Sequence, residues 1–73
     1  MIPTRDGDVL IQCYSDKPTP HRVTLITKDG EQTSEIYAIV LGRAEALRRA
    51  REMRGVNGTI FLREDDKWNR LED

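Results

Sequence analysis

Arginine is the residue type whose placement in this chain most invites chemistry. Arg43, Arg48, Arg49, Arg51 and Arg54 all fall between residues 41 and 54, with no lysine among them. A guanidinium is a rigid fork of donors that meets phosphate or carboxylate two bonds at a time. The cluster therefore reads either as an anion-binding surface or as a salt-bridged helix face with aliphatic stems laid over apolar edges. Glu45 and Glu52 favour the second reading, and Glu45 to Arg49 is an (i, i+4) pair worth a few tenths of a kcal/mol. If this face does meet a partner, Arg48, Arg49 and Arg51 are the contact residues to expect.

Other reactive types are sparse. Cys13 is the only cysteine and His21 the only histidine. That excludes an intramolecular disulfide and a Cys/His zinc site. The two could approach across a first hairpin, but a catalytic thiol needs an imidazole in hydrogen-bond reach and a third group to orient it. A buried structural Cys13 and a surface His21 are the simpler expectation. The carboxylates Glu64, Asp65 and Asp66 are contiguous, without the spaced ligands and internal glycine of a calcium loop, and read as a solvated turn. There is no Gly-rich phosphate loop, since Gly7, Gly30, Gly42, Gly55 and Gly58 all stand at turn or cap positions. No catalytic residue, cofactor or metal is expected.

The large aromatics are Tyr14, Tyr37, Phe61 and Trp68. Without an RNA-binding motif they read as core residues or protein-interface anchors. Trp68 is the expected anchor if exposed, although burial against the helix is the prior expectation.

The elements that must position these groups follow from periodicity. LGRAEALRRAREMR, residues 41–54, holds good helix formers and no proline. At 100° per residue Ala44, Leu47 and Ala50 share one side, with Ala46 and Met53 flanking, opposite Glu45, Arg48, Arg49 and Glu52. Gly42 is the expected N-cap and Gly55 the expected left-handed stop. Upstream, residues 1–7 read as a flexible lead-in. DVLIQCY (8–14) and HRVTLITK (21–28) read as strands, separated by the proline-containing loop 15–20. Lys28-Asp29-Gly30-Glu31 signals a hairpin with Asp-Gly at its two central positions. The returning strand is QTSEIYAIV (32–40), preferred over an extension of the helix back to Ser34. After an Asn57-Gly58 turn, TIFLR (59–63) is a strand, and 68–71 a short last one.

The expectation is one small α+β domain spanning 1–73, β-β-β-α-β with a possible last strand. Its sheet is mostly antiparallel, with one helix packed on one face. Leu10, Ile26 and Ile39 then lie on the second face, which points to a buried dimer surface. A chain of 73 residues is marginally stable without staples, so good packing or a homodimer must supply the remainder. The net charge is −1, with the basic residues concentrated in the helix between mildly acidic flanks. A nucleic-acid module is usually basic overall, so a protein partner is favoured over nucleic acid. The lone cysteine suits a reducing cytoplasm, and no apolar stretch is long enough to span a bilayer.

In RVTLITKDG, AEALRRAREM and GTIFLREDDKW the chain resembles small bacterial and phage β-β-α-β proteins of unknown function. In size, charge and layout it is also similar to the small anti-CRISPR proteins. Those resemblances imply a stoichiometric inhibitor of a nucleic-acid-handling complex with no active site. The sequence thus leads to a non-catalytic protein-interaction module, with nucleic-acid binding through the Arg-rich helix as the alternative.

Overall fold

The computed structural model describes residues 4–13, 20–64 and 66–71. Five strands and one helix follow in the order β1 (Val9–Cys13), β2 (Pro20–Asp29), β3 (Gln32–Leu41), α1 (Arg43–Met53), β4 (Ile60–Glu64) and β5 (Lys67–Leu71). They form a single sheet ordered β3-β2-β1-β4-β5. Every neighbouring pair is antiparallel except β1 and β4, which run parallel at its centre. The α+β domain with one helix on a mostly antiparallel sheet is as the pattern predicted, including strand over 34–40 and the short last strand. Tyr14, loop residues 15–19, Asp65 and residues 1–3 lie outside the described residues.

Period-two alternation sorts the strands into two faces. Val9, Ile11, Val23, Ile60 and Leu62 turn toward α1 and are at most 3 % exposed. They meet Ala46 and Ala50, both fully buried, with Leu47, Met53, Leu25, Val40 and Leu71 packed around them. The buried stripe differs from the predicted one: it is centred on Ala46 and Ala50, and Ala44 is exposed. Two alanines one turn apart let the helix axis approach the β-branched floor closely, and the larger Leu47 and Met53 fill the margins.

Some of the glycines do different work from that predicted. Gly42 does cap the helix, but at φ 88° and ψ 151°, a region open almost only to glycine. Backbone need, not a side-chain bond, selects it there. The helix ends at Arg54 with ordinary φ −58°, so Gly55 is not a left-handed stop. Instead a Cβ on Gly55 would stand 2.9 Å from the Gly7 Cα, and one on Gly58 only 2.0 Å from the Gly7 carbonyl oxygen. Three backbones meet there with no room for a side chain. The β2–β3 hairpin also closes one residue later than Asp-Gly implies. Asp29 pairs with Gln32, leaving Gly30 (φ 62°) and Glu31 in the loop. Only the first of those two has positive φ, as a type II′ turn requires.

Residues 4–7 of the expected lead-in form a hydrogen-bonded turn. Gly7 at φ 89° donates to the Ile26 carbonyl, while the Ile26 N–H reaches the Asp8 carbonyl at 2.8 Å. That two-against-one pattern is a glycine bulge. Asp8, 3 % exposed, accepts from the Arg5 N–H at 2.8 Å and from the Thr59 N–H at 2.9 Å. It thereby ties the turn to the start of β4.

Substituting Asp8→Ala leaves two backbone donors unsatisfied and is expected to destabilise the domain by about 2–4 kcal/mol. Gly58→Ala drives a methyl into backbone and is expected to cost about 3 kcal/mol or more. Gly30→Ala, with open space at its Cβ, is expected to cost only about 1 kcal/mol for its positive φ. Denaturant unfolding of the three variants measures the order, and a Gly58→Ala domain as stable as Gly30→Ala would refute the crowded junction.

Candidate partner-binding face

Arg48 stands between two carboxylates: its Nε donates to Glu45 at 3.0 Å, and its terminal nitrogens bond Glu45 and Glu52. Arg49 lies 3.6 Å from Glu52, and Arg43 lies 3.5 Å from Glu64. The hydrogen bond from Arg48 holds the Glu45 carboxyl below its ordinary range, aided by the charges of Arg48 and Arg49. The same bond raises Arg48 above its own ordinary value. These groups are exposed, so the pairs are screened and individually weak. Their effect is to compensate the helix charge locally. Arg51 is exposed on the same helix.

Cys13 and His21 do sit opposite each other in the β1–β2 register. Their burial is the reverse of the expectation. Cys13 is exposed and His21 only 5 % exposed, because His21 belongs to a long strand beside β3 whereas Cys13 is the last residue of β1. Of the acidic run, Glu64 and Asp66 are spent on ion pairs with Arg43 and Arg63. Among the described residues no group of three or more Cys, His, Asp or Glu side chains could hold a metal, and no helix is long and apolar enough to cross a membrane.

The helix covers one face of the sheet, and the other carries the more unusual surface. Alternation places Leu10, Thr24, Tyr37, Phe61 and Arg70 along one line across the strands, with Arg22, Ile39, Arg63 and Trp68 on one side and Ile26 and Glu35 on the other. Leu10, Ile26 and Ile39 lie on this second face as predicted. Trp68 does not pack against the helix, since it pairs with Arg63 on β4 while the helix side of that strand is Ile60 and Leu62. It is half-buried on the opposite face, lining a groove of about 410 Å³ with Leu10 and the 3 %-exposed Ile26 as apolar floor. Thr33, Glu35, Arg63 and Asp66 form its polar rim. Farther along, the Arg22 guanidinium lies 4.2 Å over the Tyr37 ring, a cation–π contact that fixes both side chains.

The chain matches no family model, no curated protein and no solved structure. Its chemistry therefore rests on this geometry alone. Of the predicted contact residues, Arg48, Arg49 and Arg51 share the helix while Trp68 lies across the sheet from them, so they do not form one site. Tyr37, Phe61, Arg22, Arg63 and Arg70 form a set on this face that composition and local motifs do not mark. Carrying the two-residue alternation through both hairpins would have grouped them, because register fixes the face of every residue.

The Glu45 carboxyl is expected to titrate below its ordinary value of 4.5, and Arg48→Ala is expected to move the midpoint back up. A carboxylate whose pKa is lowered on folding contributes stability above its unfolded value and loses it as pH falls through the lowered one. Carbon-detected NMR titration reads the midpoint directly. An unchanged midpoint in Arg48→Ala would break the assignment.

Proposed function

We propose that this chain is a non-catalytic binding protein whose partner is a protein, met through the helix-free face of the sheet. One observation carries the reading: that face bears Leu10, Phe61, Trp68, Tyr37 and Ile39 around a grooved apolar floor, with Tyr37 57 % and Ile39 50 % exposed. An antiparallel sheet that faces only water alternates toward polar side chains. Aromatic anchors beside arginines, with a pocket to receive an apolar side chain, are what protein interfaces concentrate at their energetic centres. Arg22, Arg63 and Arg70 stand against Glu35 and the Asp66 that pairs with Arg63 on the face, a small positive excess that favours an acidic partner surface. A stoichiometric inhibitor works in this way, by occupying a surface and doing no chemistry.

Nucleic acid is the second reading, and it moves from the helix to the same sheet face. Tyr37, Phe61 and Trp68 beside three arginines are the ingredients of a base-stacking platform. The helix offers less, because Arg48 and Arg49 already engage Glu45 and Glu52.

Affinity isolation at low salt with the intact chain, Trp68→Ala, Arg63→Glu and the pair Arg48→Ala plus Arg49→Ala separates these readings. The same protein is expected to be recovered with the intact chain and the helix pair, and lost with the two face variants. Recovery of no protein, or loss only with the helix pair, would overturn the proposal. Titration with a short single-stranded oligonucleotide, read by the fluorescence of the sole tryptophan, checks the second reading. A response that weakens steeply with salt would transfer the face to nucleic acid.

A further inference from the structure

We propose that β3 is the seam of a homodimer, in which the β3 edges of two copies pair antiparallel about a twofold axis and join two five-stranded sheets into one. The seam takes Tyr37 and Ile39 from the face of the functional reading, but leaves open the groove lined by Leu10, Ile26, Arg63 and Trp68, so the two can be tested separately.

Among the described residues β3 is an edge strand of ten residues, laddered on one side only, to β2. Which backbone groups it leaves outward follows from the register. Ile26 directs its N–H and carbonyl toward the β1 side, so the odd-numbered residues of β2 bond to β3. Their partners Ser34, Ile36, Ala38 and Val40 are thereby used. Thr33, Glu35, Tyr37, Ile39 and Leu41 point their N–H and carbonyl groups away from the sheet.

Natural sheets blunt such edges with charge, proline, bulges or brevity. The opposite edge does so: β5 has five residues, among them Lys67 and Arg70. β3 does not. From Ile36 to Leu41 it reads IYAIVL, without a charge, proline or glycine. Ile36, Tyr37, Ile39 and Leu41 are 58, 57, 50 and 72 % exposed. Side chains of this size, with the main-chain strip between them, offer at most roughly 500 Å² per copy, or about 1,000 Å² for a pair, which sets this seam at the small end of specific interfaces. The domain also needs the burial, because its largest fully enclosed side chains are only Ile11, Ile60, Val9 and Val23.

A second copy fits this edge better than an unrelated strand, because the sequence complements itself. With the twofold at Ala38, Ile36 stands opposite the second copy's Val40, Tyr37 opposite its Ile39, and Ala38 opposite its own equivalent. Every residue from 36 to 40 then faces an apolar one. Tyr37 and Ile39, whose backbone groups point outward, form the hydrogen-bonded pairs. Shifting the axis to Glu35 would set carboxylate against carboxylate, which is unfavourable. The contact uses the same edge on both copies, so it closes at two and does not propagate.

Light scattering of the intact chain is expected to give twice the chain mass. In hydrogen exchange, the amides of Tyr37 and Ile39 are expected to be protected at high concentration and to lose protection on dilution. Ile39→Lys, which puts two ammonium groups into the seam, is expected to raise the dissociation constant on the order of 100-fold with the same circular dichroism. A single-chain mass up to millimolar concentration, with both amides exchanging freely, overturns the proposal without reference to any variant's folding. So does a dimer whose protected amides lie elsewhere. If the seam fails while the groove still recovers its protein, the functional reading survives alone.

Discussion

Much of this domain hangs on one place where three stretches of backbone come closer than side chains permit. Gly7, Gly55 and Gly58 meet there, and the Gly55 N–H donates to the Gly7 carbonyl at 3.0 Å. Asp8 adds its two carboxylate bonds beside them. The junction fixes where β1 begins, how the chain leaves the helix and how β4 enters the sheet. From those three constraints the parallel pairing of Val9 with Ile60 follows, and with it the floor on which the helix rests. A small core of valines, isoleucines and alanines can suffice because its walls are pinned at one end by backbone contacts rather than by bulk.

The division of the sheet into faces explains the distribution of charge. On the helix, Arg48 and Arg49 sit among glutamates three and four residues away, as a helix surface encourages, and their charge is offset there. On the strands, neighbours along one face are two residues apart and across strands, and there Arg22 lies over an aromatic ring. Arginine count along the sequence thus points to the helix, whereas arginine environment points to the sheet.

Strand and helix placement was legible because it rests on period and on turn residues, which are local. DVLIQC, HRVTLITK and IYAIV alternate, and AEALRRAREM repeats every three to four residues. What could not be read was any property set by a distant neighbour. Gly42, Gly55 and Gly58 are the same letter, yet one answers a dihedral angle and two answer crowding against Gly7. The face taken by Trp68 depends on pairing with Arg63, and the exposure of Cys13 on where β1 stops. The helix stripe was misplaced around Ala44 because alanine is apolar enough for either side, and the shape of the sheet beneath it decides.

The central parallel pair also sets an order of events. Each hairpin can close on its own from residues nearby in sequence, but Val9 meets Ile60 only after some fifty intervening residues are available, and such non-local contacts are slow to form. On a ribosome, where the N-terminal part of a chain emerges first, β1 is made early and spends synthesis with one side bare. The middle of the sheet is therefore the last part to be completed, and until then the nascent chain carries an open β-strand at its heart.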